Sequence, residues 1–125
     1  MRALAAVVLC TATAAADLGE RPAMAWRNWN FFQGNITQET MQAQMKAMAS
    51  RERPVWGLSG LHSLADVGYN RAGLDDNWQM CHAGFQGSFH DEQGNPIVNK
   101  TRFPDLKAMV DFGHSLNLSV GWYIK

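Results

Sequence analysis

The run Gly68-Tyr69-Asn70-Arg71-Ala72-Gly73-Leu74-Asp75-Asp76-Asn77-Trp78 concentrates the chemistry of this chain: a short strand-like stretch that stops on two acids and an indole. Adjacent carboxylates repel one another and lose hydration when buried, so a core gains nothing from the pair. At the end of a strand they face an opening. Carboxylates that accept hydrogen bonds from several hydroxyls, beside an aromatic plate that covers C–H groups, suit a monosaccharide, whose ring has a polar rim and one less polar face. The plain alternative is an Asp-Asp turn that ends the strand and caps the next element, a common use of Asp. Cys81, His82 and His90 lie close in sequence, but they lack a paired Cys-x-x-Cys or His-x-x-x-His spacing, so no metal and no other cofactor is expected. His114, near the end of a helical stretch, reads as a surface residue compatible with the helix dipole rather than as a general base.

The elements that must position these groups follow from pattern. Met24–Phe32 alternates enough to be a first strand, with Trp26 and Asn28 on one side and Arg27 and Trp29 on the other. Trp29 is then either core or a ring presented at the strand end. Asn35 or Thr37 caps a helix with Glu39 in its first turn, and Met41, Met45 and Met48 form one apolar stripe, read as flexible core filling. Arg51-Glu52-Arg53-Pro54 ends that helix, a loop runs from Val55 to Ala65, and Gly68–Leu74 is the second strand. A Gly-rich excursion from Cys81 to Pro96, with a turn at Gly94-Asn95-Pro96, passes over the strand end as a long loop or a hairpin. Phe103-Pro104-Asp105-Leu106 opens a second helix with Leu106, Met109, Val110 and Leu116 on its buried side, and Leu118–Ile124 is a third strand.

Strands joined by helical crossovers are parallel and right-handed, and functional residues in such sheets gather at the strand carboxyl ends. Trp29, the Asp75–Trp78 group and Tyr123 all fall near such ends, at one mouth. Three parallel strands alone keep two open edges, and a (β/α)8 barrel takes roughly 250 residues. The expected fold is therefore α/β, the N-terminal portion of a (β/α)8 TIM barrel with about three β-strands and two helices.

Composition narrows the partners. The 125 residues carry eleven basic and eleven acidic side chains with no Lys/Arg cluster, which excludes nucleic acid. Residues 1–16 have one positive residue, a short apolar core and a small-residue end at Ala14-Ala15-Ala16. They read as a secretory signal too short to span a bilayer, rather than as an apolar first helix or anchor. The expected product begins at Asp17, is free of the membrane, and is secreted or delivered to a lysosome- or vacuole-like compartment. Loss of Cys10 leaves Cys81 as the one thiol of an exported chain, either free or paired elsewhere. Sequons at Asn35, Asn99 and Asn117 fit export and glycosylation.

Four ordered motifs carry a family resemblance. Arg21-Pro22-Ala23-Met24-Ala25-Trp26-Arg27-Asn28-Trp29-Asn30, Gly68-Tyr69 with Asp75-Asp76-Asn77-Trp78, Arg102–Lys107 and His114–Tyr123 resemble, in the same order, the N-terminal part of glycoside hydrolase family 27, the α-galactosidase (melibiase) family. The resemblance covers nearly all of residues 17–125 and implies a partial catalytic domain whose parent releases terminal α-linked galactose with retention. It implies that the Trp29 indole lies against galactose, that Asp75 and Asp76 bind its hydroxyls, and that Tyr123 lines the pocket. The substrate would be an α-galactoside. Retaining enzymes need two carboxyls about 5 to 5.5 Å apart. In the family the nucleophile belongs to a Lys-x-Asp motif on the fourth strand and the acid/base follows it, so no catalytic residue is expected among these 125 and the isolated fragment is expected to be inactive. Where animal and plant members carry cysteines after the first strand and between the acids and Trp78, this chain has Gly34 and Asn77. The rival readings are a catalytically dead galactose-binding module, an α-N-acetylgalactosaminidase-like parent, and a small secreted α/β domain in which the two acids only cap.

Overall fold

A computed structural model describes residues 22–124. The expected signal at residues 1–16 lies outside the described residues. In chain order the elements are β1 (Ala25–Arg27), α1 (Trp29–Phe32), α2 (Gln38–Ala49), β2 (Arg53–Pro54), β3 (Leu61–His62), β4 (Arg71–Leu74), α3 (Leu106–Ser115) and β5 (Ser119–Trp122). β4 is central and parallel to both neighbours, with Trp26 opposite Ala72 and Ala72 opposite Val120. β2, in the stretch expected to end the helix, and β3, in the stretch expected to be a loop, form a separate antiparallel hairpin.

One face of the sheet is covered and the other is open. Ala72 and Leu74 are fully buried, and Trp26 and Val120 pack on the same core with α2 and α3. The methionine stripe behaves as expected: Met41, Met45 and Met48 are all buried. Each such side chain contributes on the order of 1.5–3 kcal/mol by leaving water. Thr37 caps α2, its hydroxyl accepting from the Thr40 amide at 3.2 Å, and Asp105 caps α3 through the Ala108 amide at 2.9 Å. On α3 it is Met109 and Gly113 that are fully buried, while Leu106, Val110 and Leu116 are half-buried. Gly113 marks the closest approach of helix to sheet, because a Cβ there would run into the Val120 side chain and sit 3.2 Å from the Met45 sulfur.

The second strand begins later than the pattern suggests. Ala65–Val67 forms a 3-10 turn that ends on Gly68 at φ 103°, and only Arg71–Leu74 pairs. Ser63 and Asp66 cap this turn reciprocally: the Ser63 amide donates to Asp66 Oδ2 at 2.9 Å, and the Asp66 amide to Ser63 Oγ at 3.0 Å. Arg51 forks onto the same carboxylate at 2.9 and 3.0 Å. The Arg51 hydrogen bond, then those from Ser63, hold the Asp66 carboxyl well below the usual carboxylate range. The Cys81–Pro96 excursion is pinned at its base by Gln79 opposite Val98 and near its tip by His90 opposite Pro96.

Two outcomes follow. Gly113→Ala lowers unfolding free energy by about 1–3 kcal/mol in urea titration, since the added methyl runs into the β-branched Val120 side chain, which must shift. Asp66 titrates lower folded than unfolded, so its stabilisation is complete above the unfolded value of about 3.9 and fades as pH falls below it. Asp66→Asn accordingly lowers the urea midpoint at pH 7, and the gap to the unsubstituted protein narrows at pH 3.

Candidate functional site

The carboxyl ends of β1 and β4 are joined by a side chain rather than by further strand pairing. β1 stops at Arg27 because Asn28 turns into the right-handed helical region, at φ −75° and ψ −20°, and α1 begins. Asn28 is completely buried. Its Oδ1 accepts the Asp75 amide at 2.6 Å and its Nδ2 donates to the Gln33 carbonyl at 3.3 Å. A buried carboxamide must find such partners, and here they stitch the chain just past β1 to the chain just past β4.

Arg27 works on the open face of the same joint. Its side chain lies across Gly73, where a Cβ would fall 3.0 Å from the Arg27 Cγ. The guanidinium reaches Asp75 Oδ2 through Nε at 3.0 Å and Nη2 at 2.9 Å. The twin acids are also turned back onto the chain: the Asp76 amide donates to Asp75 Oδ1 at 2.9 Å and the Asn77 amide to Asp76 Oδ1 at 2.8 Å. One guanidinium and two backbone amides thus offset the repulsion that adjacent carboxylates bring. With the Arg27 side chain half in water, its ion pair contributes only about 0–1 kcal/mol to folding.

The third strand is tied in by backbone and indole. The Tyr123 amide donates to the Leu74 carbonyl at 2.8 Å, and Trp78 Nε1 donates to the Tyr123 carbonyl at 2.8 Å. Trp78 is 2% exposed and meets the Trp122 ring edge-on with centroids 6.3 Å apart. The indole beside the acids is therefore a strut beneath the strand ends, and the aromatic plate suggested by its place in the sequence is corrected to a structural part.

Trp29 is not on a strand, as the alternation implied, but is the first residue of α1, directly past the carboxyl end of β1, and is 41% exposed. Asp75 and Asp76 follow β4 and are half-buried, and Tyr123 follows β5 with 39% exposure. All four stand past the carboxyl ends of three neighbouring parallel strands. A concavity of about 390 Å³ on the open sheet face is lined by residues including Arg27, Gly73, Gly121 and Trp122. None of the four lines it.

Two further residues of this rim escaped the reading of the sequence, Arg27 and Asn28. The signal for Asn28 was an amide on the core side of an apolar stretch. Gly34 and Asn77 prove to be neighbours: a Cβ built on Gly34 lies 3.7 Å from the Asn77 Cβ, inside the span of about 3.5–4.5 Å that bridged cysteines use. Here the Asn77 carboxamide fills the space that a Gly34 side chain would need.

The fold and rim define a class first: a parallel strand–helix–strand–helix–strand unit whose acids and exposed aromatics collect at the carboxyl ends of its strands. No family model matches the chain. It is 32% identical over 107 residues to the α-galactosidase of Cyamopsis tetragonoloba, covering 85% of this chain and 22% of that one. It is also 32% identical over 107 residues to the α-galactosidase of Coffea arabica, covering 85% and 24%. The crystal structure of α-galactosidase I from Mortierella vinacea superposes with a TM-score of 0.65 at 29% identity, over 86% of this chain and 23% of that one. The chain belongs to the α-galactosidase (melibiase) family, glycoside hydrolase family 27, and corresponds to the N-terminal part of its members. It spans about a quarter of the length of these relatives.

Asn28→Ala leaves the Asp75 amide and the Gln33 carbonyl without their partner and costs about 1–3 kcal/mol. A drop in urea midpoint larger than that of Trp29→Ala, whose ring is half in water, is the expected result.

Proposed function

We propose that these residues are the N-terminal portion of the (β/α)8 barrel of an exported retaining α-galactosidase, and that the parent enzyme releases terminal α-linked galactose. The observation that carries this reading is the rim itself: Asn28 and Arg27 converge on Asp75, at the carboxyl end of the central strand, with Trp29 and Tyr123 past the two flanking strands. The likeness to α-galactosidases supports it, as do the open sheet face and the two outer strands, which a barrel closes.

In this reading Trp29, Asp75, Asp76 and Tyr123 bind the sugar. Galactose has an axial 4-hydroxyl, which leaves a continuous C–H patch on the opposite face for the Trp29 indole to cover. Asp75 and Asp76 accept from hydroxyls, and Tyr123 lines the pocket. Neither acid is taken as the nucleophile, since in the family that role belongs to a Lys-x-Asp motif on the fourth strand. The nucleophile and the acid/base belong to later strands of the parent, so residues 1–125 alone hydrolyse nothing.

The test is the full-length protein that contains these residues, assayed with 4-nitrophenyl α-galactoside and with its N-acetylgalactosaminide counterpart. Turnover of the galactoside with an α-configured first product is expected. Trp29→Ala and Asp76→Asn each lower kcat/KM by about 10- to 100-fold, the loss expected when a hydrogen bond to a charged group or a covered apolar face is removed. Preference for the N-acetylgalactosaminide, or turnover by residues 1–125 alone, overturns the reading.

A further inference from the structure

The geometry points to Arg27 as a positioning residue for the sugar site, one that limits Asp75 to a single ligand hydroxyl and fixes the direction from which that hydroxyl arrives. This rests on the reading of the rim as a galactose site and adds to it a residue outside the four assigned to binding.

A carboxylate offers about four acceptor positions, two on each oxygen. On Asp75, Oδ2 receives both Nε and Nη2 of Arg27, at 3.0 and 2.9 Å, and Oδ1 receives the Asp76 amide at 2.9 Å. The guanidinium covers Oδ2, one position of Oδ1 is filled, and the second position of Oδ1 faces a ligand. An unpaired Asp75 would be able to swivel about its side-chain torsions and accept hydroxyls from several directions. The pairing restricts that freedom, because the guanidinium holds Oδ2 while the Asp76 amide holds Oδ1, so both carboxylate oxygens are anchored. The Asn28 bond to the Asp75 amide fixes the backbone from which the carboxylate hangs.

The local sequence makes room for this pairing. Arg27 stretches closely across β4 where position 73 has no side chain; a Cβ there would press on the Arg27 Cγ at 3.0 Å and touch Nε at 3.5 Å. Arg27 is half-exposed, so the pair adds little to folding, and its effect is exerted on the acid. Arg27 on β1, Gly73 on β4 and Asp75 just past β4 thus form one device.

The experiment uses the full-length protein, with KM and kcat on an α-galactoside, galactose affinity by calorimetry, and thermal unfolding as a control. Arg27→Met raises KM and weakens galactose binding about tenfold, with kcat changed less and the unfolding midpoint close to that of the unsubstituted protein. Arg27→Lys, which restores charge without the fork, recovers part of the loss. In an Asp75→Asn background, Arg27→Met adds less than about twofold, since two residues that act as a unit are not additive. Gly73→Ala, which displaces Arg27 without altering its charge, shifts KM in the same direction by a smaller factor and adds nothing to Arg27→Met.

A KM within twofold of the unsubstituted value in Arg27→Met, or a tenfold loss that persists in the Asp75→Asn background, overturns the assignment. Should Arg27→Met fail to fold, Arg27→Lys and Gly73→Ala decide: unchanged KM in both overturns it. An unsubstituted full-length protein that neither turns over the galactoside nor binds galactose overturns the functional reading itself and this assignment with it.

Discussion

The joint between β1 and β4 depends on one buried carboxamide. Strand pairing between them ends at Arg27 and Gly73, and past that point the two chains diverge, one into α1 and the other into the acidic turn. Without the Asn28 bond to the Asp75 amide, the polar residues would hang on two loops free to part. With it, the acids sit at a fixed height against the start of α1 and therefore against Trp29. Because Asn28 itself is fully buried, the bond is costly to lose, which is what a rigid rim requires.

The two faces of the central strand divide the labour. Ala72 and Leu74 look into the methionine-rich core, and that packing holds β4 in place. Gly73 and Asp75 belong to the other face, where Arg27 crosses the strand. Small residues at 72 and 73 let a helix layer approach from one side and a guanidinium lie flat on the other. Core packing and the rim residues Gly73 and Asp75 are thereby kept on opposite sides of the central strand.

Much of this was legible in the residues. The Thr37 cap, the methionine stripe, the Asp105 start of α3 and the strand–helix alternation led to a parallel sheet with chemistry at one end, because cap chemistry and a 3.6-residue period are local signals. Less legible was whatever depended on distant partners. Met24–Phe32 alternated like a strand, yet Asn28 obtains its bonds by turning, and Trp29–Phe32 is helical. Trp78 was read for its neighbours, the acids, whereas its indole N–H belongs to a carbonyl 45 residues away. The hairpin of β2 and β3 has two residues in each strand and so no period to detect. Arg27 was placed on the correct side of its strand, but nothing nearby in sequence announced that it would reach Asp75.

The outer strands β1 and β5 each pair on one side only among the described residues, and the sheet they flank has one bare face. Backbone donors and acceptors in that state are a template for any extended chain that meets them. Both edges are short, three residues in β1 and four in β5. Brevity of strand is here a safeguard against premature partnership.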